Sequence, residues 1–134
     1  MGKIISFSNQ KGGVGKTTTC VNMAAYLARA GKKVLLVDLD PQGNATTGLG
    51  FSKGTLKKSV YNVVIEGEEV KDNVLPTELE GLFILPSNID LAGAEVDLVY
   101  KKNRDRVLRA ALEKVKGSFD YILIDCQPSL GLLT

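Results

Sequence analysis

The stretch KGGVGKTT, from Lys11 to Thr18, decides how the rest of the chain is interpreted. It follows a short apolar segment, Lys3 to Ser8, and opens a segment whose apolar residues recur at helical spacing from Lys16 to about Ala30. The buried face of this helix is expected to carry Cys20, Met23, Ala24, Leu27 and Ala28, with Gly31 as its C′ cap. A phosphate-binding loop functions in this setting, between a buried strand and a helix. The sequence therefore predicts a strand, a phosphate loop and a helix in that order.

Each residue type in this loop suits the binding of a phosphate. The glycines let the backbone turn tightly and bring its N–H groups against phosphate oxygens, and the helix that begins near Lys16 adds its positive end. Lys16 can reach the β- and γ-phosphates, and the Thr17 hydroxyl can ligate Mg²⁺. The nucleotide-binding residues predicted here are Lys11, Gly12, Gly13, Val14, Gly15, Lys16, Thr17 and Thr18. The alternative is an ordinary glycine-rich turn with surface lysines.

Aspartates follow two further apolar runs. Asp38 and Asp40 end the run that starts at Val34, and Asp125 ends the run that starts at Tyr121. In an open α/β sheet, ligands lie beyond the carboxyl ends of the strands, so we expect these side chains near the phosphate loop. Asp125 would hold Mg²⁺ through a water, Asp40 would orient or deprotonate the attacking water, and Asp38 would support the metal shell or the loop. In the alternative, the aspartates solvate strand ends or cap the next helices.

The remaining pattern alternates strands with helices. We expect a strand at Leu82 to Pro86, a loop at Gln42 to Gly54, and a clear helix from Asp105 to Lys116. Shorter helices would begin at Thr55 and Asp90, as N-cap residues. This alternation predicts an α/β fold with a mostly parallel sheet and flanking helices. The 134 residues are enough for one hydrophobic core.

Composition excludes several classes of protein. The 134 residues carry a net charge of +2, no histidine, and two cysteines at Cys20 and Cys126. Two distant thiols without histidine make no Cys/His metal site. The absence of histidine leaves carboxylates, lysines, backbone amides or a metal for any catalysis. No apolar run approaches the roughly 18 residues of a membrane span, and we expect a cytoplasmic protein.

Three ordered motifs resemble the ParA/MinD family of P-loop ATPases. Lys11 to Thr18 is similar to its deviant Walker A motif, Val34 to Asn44 to its Walker A′ segment, and Tyr121 to Thr134 to its Walker B strand and switch. The Asp-Pro-Gln-Gly-Asn stretch and the Ser-Leu-Gly-Leu-Leu ending favour the ParA/Soj partitioning branch. The resemblance covers almost the whole chain and implies a P-loop NTPase-type fold.

The resemblance also implies a mechanism. It implies ATP with Mg²⁺ as cofactors, an ATP-dependent homodimer and slow hydrolysis, with Lys11 crossing the dimer interface. The implied catalytic residues are Lys11, Lys16 and Asp40, and the implied metal-binding residues are Thr17, Asp38 and Asp125. The implied partners are a ParB-like centromere-binding protein that stimulates hydrolysis and, for the full-length protein, DNA bound without sequence preference. It implies a cytoplasmic, nucleoid-associated protein that binds no membrane.

Two features depart from the family pattern. Gln127 stands where the family usually has proline, which would loosen the switch after Asp125 because a fixed φ is lost. The chain also stops at Thr134, and it would be the N-terminal portion of a longer ATPase domain. We then expect the first strand to have an unpaired edge, which invites pairing with another chain. Such a chain would be marginal as a monomer, would swap or associate, and would hydrolyse ATP poorly.

The sequence leaves two other functions open. One is a MinD-like, membrane-associated ATPase that places the division site. The other is a nucleotide-binding module that does not hydrolyse ATP. The basic stretch from Lys101 to Arg109 could form a DNA patch, but Asp105 interrupts it and the solvated side of a helix is the better interpretation.

Overall fold

The structure is a computed structural model that describes residues 2–7, 13–39, 43–51, 56–64, 66–87 and 98–125. Of residues 13–17 and 98–105 it describes the backbone. The strands are β1 (Lys3–Phe7), β2 (Val34–Asp38), β3 (Leu75–Pro76), β4 (Leu82–Leu85) and β5 (Tyr121–Asp125). The α-helices are α1 (Gly13–Arg29), α2 (Asn44–Gly48), α3 (Val60–Val64) and α4 (Leu98–Glu113), with short 3₁₀ helices at Val70–Asp72 and Lys116–Ser118.

The five strands form one sheet in the order β1-β5-β2-β4-β3. β5 runs parallel to both β1 and β2, and β2 runs parallel to β4. Only the two-residue β3 is antiparallel among the described strands. The predicted α/β class with a mostly parallel sheet is therefore confirmed.

Two of the inner strands, β2 and β5, carry buried side chains on both faces of the sheet. All five residues of β2 are buried, as are four of the five in β5. Parallel sheets need helices on both faces, and continuous runs of Val, Leu and Ile suit that environment better than alternating runs do. A single chain of alternating strands and helices supplies both layers.

Helix α1 covers one face of the sheet with small side chains. Cys20, Ala24 and Ala28 are buried at helical spacing and pack in one cluster with Leu36 of β2 and Leu123 of β5. The predicted core position of Cys20 is confirmed. The helix ends in a Schellman motif: Lys32 N–H donates to the Leu27 carbonyl, Gly31 N–H donates to the Ala28 carbonyl, and Gly31 has φ 91°. The predicted C′ glycine is thus confirmed, because only glycine adopts that φ without strain.

The opposite face carries the larger apolar cluster. Leu35 and Val37 of β2 and Ile122 of β5 pack with Leu108 and Leu112 of α4. The strand residues divide between the two apolar clusters because residues i and i+2 of a strand lie on the same face of the sheet. Helix α3 joins this cluster through Val60 and Val63.

Several sequence expectations were wrong in detail. The segment predicted as a loop from Gln42 to Gly54 contains α2, and α1 includes Gly13, three residues before its expected start. The segment from Glu66 to Glu80 is polar and only weakly patterned in sequence, and it contains β3. Helix α4 was expected from Asp105 to Lys116 but spans Leu98–Glu113. Its start was missed because the polar residues from Lys101 to Arg104 interrupt the apolar pattern. Expected caps at Thr55 and Asp90 lie outside the described residues.

Met23 was expected on the buried side of α1, yet its side chain is 41% exposed. Its place at i−1 from Ala24 puts it at the border of the apolar stripe. Periodicity gives the direction of that stripe but not how wide the sheet beneath it is.

Among the described residues, no helix combines the length and the apolar character that crossing a membrane would require.

Candidate functional site

Three strands end at the same level of the sheet. In the register of the two parallel ladders, Phe7 of β1 pairs with Asp125 of β5, and Asp125 pairs with Asp38 of β2. A further bond runs from the Leu39 N–H to the Asp125 carbonyl, 3.0 Å between N and O, and extends the ladder one residue past β2. Neighbouring strands lie about 4.8 Å apart, so the two aspartates are backbone neighbours.

Both aspartates lie on the face of the sheet that α1 covers. Asp38 follows Leu36 by two residues and Asp125 follows Leu123 by two, and both leucines pack against α1. Helix α1 starts just after the carboxyl end of β1 and runs back over the sheet. Its N-terminus, with its unpaired N–H groups and positive end, therefore lies at the same edge as the two aspartates.

The two carboxyl groups are fully buried, with 0% of Asp38 and 0% of Asp125 exposed. Buried carboxylates are stabilised by hydrogen bonds and by nearby positive charge. The N-terminus of α1 brings positive partial charge to this edge of the sheet. Because carboxylate oxygens are the ligands that Mg²⁺ prefers, these residues fit a magnesium site that is completed by phosphate oxygens and water.

Thr46 of α2 holds the Asp38 carboxylate. Its backbone N–H donates to Asp38 Oδ2 over 2.8 Å, and its hydroxyl donates to the same oxygen over 2.6 Å. The Ser87 N–H donates in turn to Thr46 Oγ1 over 3.0 Å. The sequence pattern did not indicate Thr46, since this contact spans a loop and depends on the tertiary structure.

The contact bears on the two roles expected for Asp38. The bonds from Thr46 agree with a role for Asp38 in supporting the loop. They also agree with the alternative that Asp38 caps α2, because Thr46 lies in the first turn of that helix. A role in the metal shell is compatible with them, because a carboxylate offers about four lone-pair positions. That role stays a prediction.

The predicted phosphate-loop residues are only partly described. Gly13 to Thr17 form the first turns of α1, and Thr18 is an exposed residue of the same helix. Lys11, Gly12 and Asp40 lie outside the described residues, as do Cys126 and Gln127. The structure therefore brings together Asp38, Asp125 and the start of α1, and the other expected site residues remain predictions.

Features elsewhere in the described part of the chain do not compete with this edge. A cavity of about 490 Å³ opens at the opposite edge of the sheet and is lined by residues such as Arg29, Lys32 and Gly81. The described residues contain no group of three or more His, Cys, Asp or Glu that could hold a metal. Arg106 and Arg109 of the basic stretch are exposed while Leu108 is buried, in agreement with the solvated side of a helix.

Comparison with known sequences gives a family model and several relatives with names from chromosome partitioning. Residues 2–134 match the family model described as AAA domain. The chain is 56% identical over 134 residues to the sporulation initiation inhibitor protein Soj of Bacillus subtilis, covering 100% of this chain and 53% of that protein. It is 51% identical over 134 residues to the chromosome partitioning protein ParA of Myxococcus xanthus, covering 100% of this chain and 47% of that protein. The chain thus spans about half the length of these curated relatives.

Solved structures share the fold. A cobyrinic acid a,c-diamide synthase from Mycobacterium smegmatis, solved with ADP and magnesium, matches with a TM-score of 0.88 and 47% identity over 99% of this chain and 54% of that one. The same enzyme was also solved with an ATP analogue and magnesium. The septum site-determining protein MinD of Pyrococcus horikoshii, complexed with Mg-ADP, matches with a TM-score of 0.77 and 30% identity over 98% of this chain and 51% of that one.

Proposed function

Because this chain belongs to the AAA-domain family and to its ParA/MinD group of P-loop ATPases, we propose that it is the nucleotide-binding portion of a Soj/ParA-type chromosome-partitioning ATPase. Its ligands are ATP and Mg²⁺. The observation that carries the proposal is the pair of buried carboxylates, Asp38 and Asp125, at one level of the sheet beside the N-terminus of α1. Two similar proteins with different names were solved with ADP and magnesium. They support the proposed binding of nucleotide and Mg²⁺ more strongly than they support any single cellular role.

In this proposal the phosphates are held by the backbone and by charge. The N–H groups of the glycine-rich loop face the phosphate oxygens, and the N-terminus of α1 adds a favourable potential. Lys16 contacts the β- and γ-phosphates as a point charge. The backbone donors come from Gly12, Gly13, Val14, Gly15, Lys16, Thr17 and Thr18.

Oxygen ligands would hold the metal: the Thr17 hydroxyl, Asp125 through a bound water, and Asp38 as support of the same shell. When bound, Mg²⁺ would supply positive charge that offsets the charge of the phosphates. The burial of Asp38 and Asp125 at one level of the sheet supports this assignment, because buried carboxylates in proteins are commonly paired with cations or bound to metals.

Asp40 orients or deprotonates the attacking water, and Lys11 of a second copy stabilises the transferring phosphoryl group. A cation added in trans acts there as an arginine finger does. Hydrolysis is then coupled to dimerisation, and the γ-phosphate becomes a switch that holds the nearby loops until it is released.

The cellular role proposed here follows the Soj/ParA relatives. The ATP-bound dimer of the full-length protein binds DNA without sequence preference, and a ParB-like partner stimulates hydrolysis. A MinD-like role at the membrane is the second candidate, favoured by the match to the Pyrococcus horikoshii protein. Cosedimentation of the full-length protein with plasmid DNA or with liposomes, each with ATP, separates the two candidates.

The test of the biochemical proposal is phosphate release together with nucleotide binding. Lys16→Ala should weaken ATP binding, because the charge on the β- and γ-phosphates is lost. Asp40→Ala should retain binding and lower phosphate release by at least about tenfold, since general-base or water-positioning groups contribute roughly 10²–10⁴-fold. Lys32→Ala and Asp72→Ala are matched controls, because both side chains are exposed and far along the chain from the loop.

Equal phosphate release from the wild type and both site variants would refute the catalytic assignment. Nucleotide binding without measurable hydrolysis in the wild type would favour the non-hydrolysing module instead.

A further inference from the structure

A chain of buried hydrogen bonds joins three segments at the candidate site. Asp38 ends β2, Thr46 lies in α2, and Ser87 follows β4 by two residues. All three are 0% exposed. Thr46 donates twice to Asp38 Oδ2, over 2.8 and 2.6 Å, and accepts from the Ser87 N–H over 3.0 Å.

The Thr46 hydroxyl has only one possible direction in this chain. A backbone N–H can only donate, so the Ser87 contact occupies a lone pair of Thr46 Oγ1. An ionised carboxylate can only accept, so the hydroxyl hydrogen must point to Asp38. The stiff χ1 of a β-branched side chain reinforces this arrangement. The two bonds from Thr46 therefore constrain the position of Asp38 Oδ2, and the bond from Ser87 orients the Thr46 hydroxyl.

Capping of α2 does not account for the whole chain of bonds. A cap needs a side-chain oxygen that accepts from a backbone N–H in the first turn, and the bond from the Thr46 N–H to Asp38 supplies it. The hydroxyl bond to the same oxygen and the bond from Ser87, 41 residues away in sequence, are additional. They tie the end of β4 to the carboxylate at the end of β2.

We propose that Thr46 is a positioning residue that holds the Asp38 carboxylate in the orientation required by the magnesium–nucleotide site. The inference rests on the proposed function, because it gives Asp38 a role in the metal shell. Groups that orient a metal-supporting carboxylate by hydrogen bonds affect metal affinity strongly, although they never touch the metal. Thr46 acts through Asp38 and is not a catalytic residue.

The test compares Thr46→Val with Thr46→Ser, and with Thr47→Val as the matched control. Valine keeps the shape of threonine and removes the hydroxyl, whereas serine keeps the hydroxyl. Thr47 is in the same helix but exposed, so its valine variant reports the effect of the substitution type alone. ATP dissociation constants are measured by calorimetry with Mg²⁺ and with EDTA.

We expect Thr46→Val to weaken the binding of ATP about tenfold in Mg²⁺ and to leave its binding in EDTA unchanged. A tenfold loss is of the size commonly seen when a hydrogen-bond partner of a metal ligand is removed. Thr46→Ser and Thr47→Val should both remain within about twofold of wild type. A purely structural role would lower the melting temperature and weaken binding equally in both conditions, and that result would overturn the proposal.

A measurement on the unaltered chain covers the case in which the valine variant does not fold. Mg²⁺ is added to protein saturated with ATP in EDTA, and amide resonances are followed. The Thr46 and Ser87 amides should shift, while the remote Asp72 amide should not. If the resonances of those two amides do not shift while MgATP binds, the positioning role is refuted and the proposed function is retained. If MgATP does not bind the wild type, the proposed function fails as well.

Discussion

Asp38 and Asp125 lie side by side at the ends of β2 and β5, with no exposure to solvent. An isolated ionised carboxylate is among the most costly groups to bury, and two at one level of a sheet add mutual repulsion. Hydrogen bonds from Thr46 offset part of this cost at Asp38. The proposed Mg²⁺ would add to this stabilisation, since a cation offsets the charge of neighbouring carboxylates.

Ser87 offers a prediction at the scale of one atom. Its hydroxyl is buried and has no hydrogen-bond partner among the described residues, while its N–H bonds Thr46. A buried hydroxyl without a partner costs about 1–3 kcal/mol. Ser87→Ala should therefore leave the free energy of unfolding unchanged or raise it by up to about 1 kcal/mol, as measured by urea denaturation.

Ser118→Ala is the control for Ser87→Ala, because Ser118 is exposed and its substitution should change stability by less than about 0.5 kcal/mol. A loss of more than about 1 kcal/mol in Ser87→Ala alone would show that this hydroxyl has a partner, and the description of the Ser87 side chain would be wrong.

At the scale of elements, β1 lies at one edge of the described sheet. It pairs with β5 on one side, and no described strand pairs with its other side. Ile5 is in register with Leu123 and so faces the α1 side of the sheet, where it is 38% exposed. Helix α1 adds Met23 at 41% and Tyr26 at 69% exposure. An open strand edge and exposed apolar side chains each favour association with another chain.

We therefore predict that the 134-residue chain associates in solution, and that its mass by light scattering rises with concentration. Tyr26→Lys should shift this equilibrium toward the monomer, because a charge at a position that becomes buried on association is costly. Ser118→Lys adds the same charge at another exposed site and should have no such effect. A monomer mass independent of concentration would contradict the prediction.

The elements differ in how well the sequence predicts them. β2, β4, β5 and the body of α1 follow from continuous apolar runs or a helical apolar stripe, which are local properties. Helix α2 could not be predicted, since its sequence NATTG resembles a loop and its first turn is held by the distant Asp38. β3 has two residues, one of them proline, and exists because Leu75 and Pro76 pair with β4.

The same distinction holds for the candidate site. Asp38 and Asp125 are predictable because each ends an apolar run, and in a parallel sheet the carboxyl ends of strands meet at one edge. Thr46 and Ser87 are not, because their roles come from contacts across 8 and 41 residues of chain. The roles of Lys11 and Asp40 remain predictions from the motif.

At the scale of the whole molecule, the sheet acts as a platform with two different faces. The face covered by α3 and α4 holds the larger apolar cluster, and the face covered by α1 carries the two aspartates. A rigid, close-packed core fixes the strand ends, so that small groups at the edge keep their geometry. Function is thereby concentrated at one edge, where loops can change without disturbing the core.

The most direct test of the central claim follows backbone amide resonances while MgATP is added to the folded chain. If the glycine-rich loop and the start of α1 grip the phosphates, the amides of residues 12–18 will shift first and furthest, together with those of Asp38 and Asp125. Amides at the opposite edge, such as Lys32 and Gly81, will stay in place. Saturating MgATP that leaves residues 12–18 unmoved would contradict the account.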